Sequence, residues 1–369
     1  MKNLLNSKTS PIFKDIIPVK RHFGGVDILR TILCITVVAL HCNPWYVPQP
    51  YDCFTSENPT WYRVLLFDWL WLAVPCFLTL SLYLFYRKAM SDNQYGLKRI
   101  SYIFALACFW NFALTMVLNN GQIIDLFKGK NFISCFLILI ANHNIAYFLF
   151  VQLFLTIIAW GICYFLRNRK CSLTLLIIMS VMLILSIVIS FFGRGIFCKI
   201  FGTENGNNFG YSNILVYFPC LFVAFFLYVI FDVLKLSKKF IAITGCCLLG
   251  VFIILAIIDW QIQNSGSPIL DWNYCATGRI QIPFACALLC LCALAIKKDS
   301  FPFFSWFSEL TMGIFLTHTV IINYVGAIIS KLSLSQNTLF LMLFVFTITL
   351  STLLVAIVKY FSKKNWKLF

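Results

Sequence analysis

Residues Gly24 to Cys42 read GGVDILRTILCITVVALHC, an apolar run of the length a bilayer-crossing helix needs, interrupted by Asp27, Arg30 and His41. The rest of the chain repeats the apolar run without so many ionisable groups. Of 369 residues, 61% are hydrophobic and 11% are charged, far from the balance of a soluble globular chain. Ten segments qualify or nearly qualify as spans: residues 26–43, 62–86, 100–118, 145–166, 172–192, 213–234, 240–259, 277–296, 307–330 and 338–360. The expected fold is an all-α, polytopic membrane helical bundle.

A net charge of +16 would suggest nucleic acid if the chain were soluble, so the placement of the basic residues decides its meaning. With ten spans both termini share one side, and 22 of the 29 Lys and Arg fall there, leaving Arg63, Lys128, Lys130, Arg194, Lys199, Arg279 and Lys331 opposite. The positive-inside rule makes the crowded side cytoplasmic. The charge therefore records topology, and no nucleic-acid partner is expected. Residues 1–25 read as a basic cytoplasmic tail without a small-residue cleavage site, residues 26–360 as the membrane domain, and 361–369 as a second cytoplasmic tail.

Most of the sixteen cysteines fall inside spans, where a thiol serves as a small apolar group. Cys42, Cys53, Cys198 and Cys275 are expected at or near the outer surface, where a bridge is chemically possible. Cys290 with Cys292, and Cys246 with Cys247, have no histidine in their spans to complete a metal site, and no metal is expected. The outer segments NPWYVPQPYDCFTSENPTWY, GRGIFCKIFGTENGNNFGYSN and WQIQNSGSPILDWNYCATGR mix aromatic, amide and acidic residues. Such a mix suits sugar contact, and it equally suits an interfacial aromatic belt. DLFKGKNFISCFLILIANHN is too short in its apolar part to span and reads as an interfacial or re-entrant piece.

Ionisable groups inside a membrane are costly and mark function by default. Arg30 and His41 are eleven residues apart. At 100° per residue that is three turns plus about 20°, so both lie on one helix face, roughly 16 Å apart along the axis. Asp27 lies one turn before Arg30, so Asp27, Arg30, Cys34 and His41 trace one stripe. Read singly, Asp27 and Arg30 mark the interface, with Arg30 snorkelling to water, and His41 begins a loop. Read as a stripe, they favour a functional face. His318 falls in the ninth span near Thr311, Thr317 and Thr319, which offer it hydrogen-bond partners, and its reading as a structural or a catalytic histidine stays open. Glu309, at the inner end of that span, could bind a cation or cap the helix. His22 reads as a solvated residue of the tail.

The stretch VDILRTILCITVVALH resembles the opening of the integral-membrane acyltransferase family 3, whose hallmark is an arginine, ten residues and a histidine in the first helix. Further segments are similar in order: VPCFLTLSLYLF, with Leu82 where the family has glycine; LKRISYIFAL; NIAYFLFVQLF, with Ala146 where the family has tryptophan; and ELTMGIFLTH, which puts His318 in register. The resemblance runs from about Gly25 to Val320. It implies a bacterial cytoplasmic-membrane enzyme that moves an acyl group, usually acetyl from acetyl-CoA inside, to a hydroxyl of a cell-surface glycan outside.

A hydroxyl attacks a thioester usefully only if a base takes its proton as the bond forms, and His41 suits that task, with Asp27, Arg30 and His318 as further catalytic candidates. Anionic CoA asks for cations at the inner mouth, where Arg30, Lys98 and Arg99 would meet if the first and third helices adjoin. Ser81 is a further donor-binding candidate, beside the plainer reading that it bonds a backbone carbonyl. Asp68 and Arg279 could line an acceptor cleft or form structural ion pairs, and His143 could bind acceptor or anchor the interface. A transporter or glycan exporter with a histidine proton relay is the alternative, although matched broken helices are not evident.

Overall fold

The structure is a computed structural model that describes residues 12–16, 23–42, 71–118, 147–201, 213–264, 278–296 and 301–361. Both tails for the most part, Asp68, His143, the first outer segment, the larger parts of the other two and the re-entrant stretch lie outside the described residues. Among the described residues there are eleven α-helices: α1 (Gly24–Cys42), α2 (Ala73–Ala89), α3 (Asn93–Leu118), α4 (Tyr147–Leu166), α5 (Leu173–Phe201), α6 (Phe218–Tyr228), α7 (Lys238–Asn264), α8 (Ile282–Ala295), α9 (Pro302–Ser308), α10 (Thr311–Ile329) and α11 (Gln336–Phe361). Ten of them occupy the ten expected spans, and eight helical stretches are long and apolar enough to cross a membrane. The protein is an all-α polytopic bundle.

Two features depart from the expectation. The ninth span does not begin at residue 307: Pro302 starts the short α9, a turn follows at Glu309 and Leu310, and α10 begins at Thr311. Proline at a first helical position has no N–H to lose and a preset φ, so it starts a helix readily. The segment before the first span is also not simply a solvated tail. Phe13 is fully buried, its ring 6.2 Å from Phe225 and 6.3 Å from Tyr228. Its backbone N–H donates to the Arg169 carbonyl at 3.2 Å, and that of Lys14 to Arg167 at 2.9 Å, pinning the segment to the turn between α4 and α5.

At the centre of the bundle α1, α2 and α8 pack on one another and α6 packs on α2 and α8, with α4 against α2 and α3 against α4. α9, α10 and α11 pack on the other flank of α1. α7 packs chiefly on α8, and only 6% of its apolar stretch is buried inside the protein, against 67% for Ile214–Val233. α7 is thus apolar nearly all round without being covered by protein, as lipid contact requires. α1 and α8 approach closely enough that a Cβ on Gly25 would lie 2.2 Å from the Ala293 carbonyl oxygen, so only glycine fits there.

Arg87, counted in the sequence among the topology-setting cations, is buried. Its Nε donates to Asp232 Oδ1 at 2.8 Å, Tyr83 Oη donates to Asp232 Oδ2 at 2.9 Å, and the guanidinium lies 4.9 Å from the centroid of the Phe23 ring. Asp232 falls in a π-helical turn, Val229–Val233, that extends α6. A wider turn of this kind re-aims one side chain without ending the helix. Removing one partner of a buried pair strands the other charge, at about 3–5 kcal/mol, whereas replacing both with apolar groups costs far less. Asp232→Ala is therefore expected to lower the thermal unfolding midpoint in detergent well below that of the Arg87→Met, Asp232→Ala double variant; equal midpoints would count against the pair as a structural lock.

Candidate active site

The polar stripe of α1 forms its seam with α9 and α10. Ser308 Oγ donates to Asp27 Oδ1 at 2.8 Å, Cys34 Sγ reaches the Thr311 carbonyl at 3.8 Å, and the His41 and His318 rings have centroids 5.0 Å apart. The three contacts follow in order along both chains because α1 and the α9–α10 segment rise together. Asp27 is buried with its partner, and Thr31 returns its hydroxyl to the Asp27 carbonyl at 2.9 Å, which satisfies that hydroxyl inside the bundle.

Arg30, on the same stripe, turns into a cavity of about 240 Å³. Its polar wall is made by Arg30, Ser81, Arg99, Gln152, Ser308 and Glu309, and Phe77, Phe148 and Phe315 are among its apolar lining. Of the expected donor-binding group, Arg30, Ser81 and Arg99 therefore meet, whereas Lys98 is exposed and does not line the cavity. Gln152 Nε2 donates to Ser81 Oγ at 2.9 Å, so Ser81 serves here as an acceptor from a neighbouring helix, leaving its own O–H as a donor. Glu309 is ion-paired with Lys359. Two guanidinium groups facing one small space suit an anionic ligand.

His41 occupies the last turn of α1 and is half-buried; it belongs to the helix, not to a loop. His318 is fully buried, with Nδ1 3.2 Å from the Ile314 carbonyl. A carbonyl can only accept, which assigns the proton to Nδ1 and leaves Nε2 with its lone pair. That Nε2 has no hydrogen-bond partner among the described residues. The threonines expected to serve His318 do not: Thr311 donates to the Ser308 carbonyl at 2.8 Å and Thr317 to Gly313 at 2.9 Å. Helix backbone one turn back is the nearer acceptor for a threonine hydroxyl.

Neither histidine lines the arginine-bearing cavity. Phe315 stands between the two, lining the cavity with one ring that is also 5.7 Å from His318.

Arg279 lies elsewhere. It is buried and pairs with Asp259 of α7 at 3.1 Å, where Gln281 Nε2 also donates to Asp259 at 3.0 Å. This is the structural-pair reading, with Asp259 as the partner. Cys42, the last residue of α1, is buried within the protein. Cys290 does have thiol company, from another helix: its sulfur, that of Cys286 and that of Cys76 on α2 lie within 4.8 Å of one another, all buried. Cys286 Sγ also contacts Thr79 Oγ1 at 3.3 Å, and the group fills the α2–α8 seam as small polarizable packing. Gln152, Ser308 and Asp259 were not singled out in the sequence. The signal available for Gln152 was a side-chain amide within an otherwise apolar span.

An all-α multi-pass bundle with a histidine pair behind a cation-lined cavity defines a membrane protein with an interior polar site. The family model described as an acyltransferase domain matches residues 23–359 of the 369, and the chain belongs to the integral-membrane acyltransferase family 3. It is thus a membrane acyltransferase. No curated protein and no solved structure matches the chain.

Ser308 links α9 to the charged turn of α1, and a hydrogen bond to an ionised group contributes about 1.5–3 kcal/mol. Ser308→Ala should lower the unfolding midpoint in detergent by a corresponding amount, while Ser308→Thr, which keeps the hydroxyl, should hold it; equal loss in both would assign the effect to packing.

Proposed function

We propose that the protein transfers an acyl group, acetyl in the first instance, from acyl-CoA at the basic, cytoplasmic end of the bundle to a hydroxyl of a cell-surface carbohydrate on the other side of a bacterial cytoplasmic membrane, with His41 as general base. The observation that carries this reading is the placement of the His41–His318 pair one aromatic ring away from a cavity bearing Arg30 and Arg99.

The cavity is too small for a whole CoA and suits its thioester end, with the nucleotide left outside near the basic end. Arg30 and Arg99 attract the anionic donor toward the cavity and donate charge-assisted hydrogen bonds to carbonyl oxygens of the inserted arm. Ser81, fixed by Gln152, offers its O–H to a carbonyl or amide of the inserted arm. When bound, acyl-CoA supplies an activated carbonyl and a thiolate leaving group. His41 accepts the acceptor's hydroxyl proton while the oxygen bonds to the acyl carbon and the C–S bond breaks, and the proton then passes to the departing sulfur. His318, its Nδ1 tied to α10, orients His41. Asp27, held by Ser308, keeps α1 and hence Arg30 and His41 in register.

General-base catalysis contributes about 10²–10⁴-fold, so His41→Ala should reduce acyl transfer to surface glycan by that order without changing protein level in the membrane. Full activity in that variant would remove His41 from the role. Arg99→Gln should raise the KM for acetyl-CoA with less effect on kcat, and Lys98→Gln should not. Equal effects would mean that both cations act only through bulk charge.

A further inference from the structure

Three phenyl rings from three helices close the cavity on the side of the histidines. Phe315 of α10 is their hub, 4.8 Å from Phe148 of α4 and 6.4 Å from Phe77 of α2 between ring centroids, with interplanar angles of 59° and 66°. The same ring is 5.7 Å from His318. Phe148 and Phe315 are each 5% exposed, so neither is free to swing into solvent. The rest of the cavity lining includes the polar groups of Arg30, Arg99, Ser81 and Gln152. A thioester arm is amphipathic in the same sense: its amides need hydrogen-bonding partners and its acyl tail does not.

We propose that Phe77, Phe148 and Phe315 form the floor against which the acyl chain stops, and so restrict the donor to short acyl groups. The inference rests on the acyl-CoA reading above and adds to it which acyl-CoAs the site accepts. Tilted and edge-on aromatic contacts hold each ring against its neighbours, so a longer chain meets packed side chains with no empty space to take up. Each methylene beyond the floor must displace a ring, which converts a gain from burial into a loss. Phe315 also touches His318, so the ring that stops the chain is the one next to the histidine pair.

The test compares kcat/KM for acetyl-, butyryl- and hexanoyl-CoA, read as labelled acyl incorporated into envelope glycan by membranes carrying the full chain. The wild type should prefer acetyl over hexanoyl. Phe148→Ala and Phe315→Ala should shift the butyryl-to-acetyl ratio by about 10–200-fold toward butyryl, the range a missing or extra methylene in an apolar pocket commands. Phe148→Leu, which keeps an apolar side chain in place, gives a smaller shift and guards against a variant that fails to fold. A purely structural role would lower all three rates together and leave the ratio fixed, which would overturn the inference. Equal use of hexanoyl and acetyl by the wild type would overturn it as well. A wild type without any acyl-CoA-dependent transfer would overturn the proposed function along with it, whereas acetyl transfer with unmoved ratios would overturn the floor alone.

Discussion

The hydrogen bond from Ser308 to Asp27 joins two points of the chain 281 residues apart, and the geometry of the site depends on it. A carboxylate inside an apolar bundle is tolerated only with donors, and here a donor comes from the short helix that Pro302 starts. Once Asp27 is held, the helical repeat fixes the rest: Arg30 one turn on faces the cavity, Cys34 meets Thr311, and His41 arrives at His318. One polar contact at the base of α1 sets where its far end falls.

The same constraint explains the other buried charges. Arg87 with Asp232, Tyr83 and Phe23, and Arg279 with Asp259 and Gln281, each close a seam between helices that have little else polar to specify their register. Van der Waals packing between apolar helices in lipid is permissive, since lipid tails are as apolar as leucine; polar pairs and small residues at close approaches make the arrangement unique. Gly25 against Ala293 is the small-residue counterpart of those pairs.

The ten spans were legible because length and hydropathy act locally along the chain, and the stripe on α1 was legible because helical periodicity alone puts Asp27, Arg30, Cys34 and His41 on one face. What faces that stripe was not. The approach of His318 to His41, the meeting of Ser81 with Gln152, and the pairing of Arg279 with Asp259 depend on which helices adjoin, and periodicity says nothing of neighbours. The break at Glu309 and Leu310 was hidden because neither glycine nor proline marks it, and Ser308 and Glu309 read in sequence as polar positions near the end of one helix. The partner of Arg87 was hidden for a related reason: a cation at the end of a span looks the same in sequence whether it lies in water or against an aspartate 145 residues later.

The docking of Phe13 carries a consequence for biogenesis. Its aromatic neighbours, Phe225 and Tyr228, are made some two hundred residues after it, so the start of the chain reaches its place only after the sixth span has been synthesised. The seam of α1 waits longer still, for Ser308, Thr311 and His318. A ribosome that has released fewer than nine spans has placed every hallmark residue of the first helix in the membrane without the partners that form its seam and the histidine pair. Competence for acyl transfer therefore arrives late, when the enclosure around the site is nearly finished.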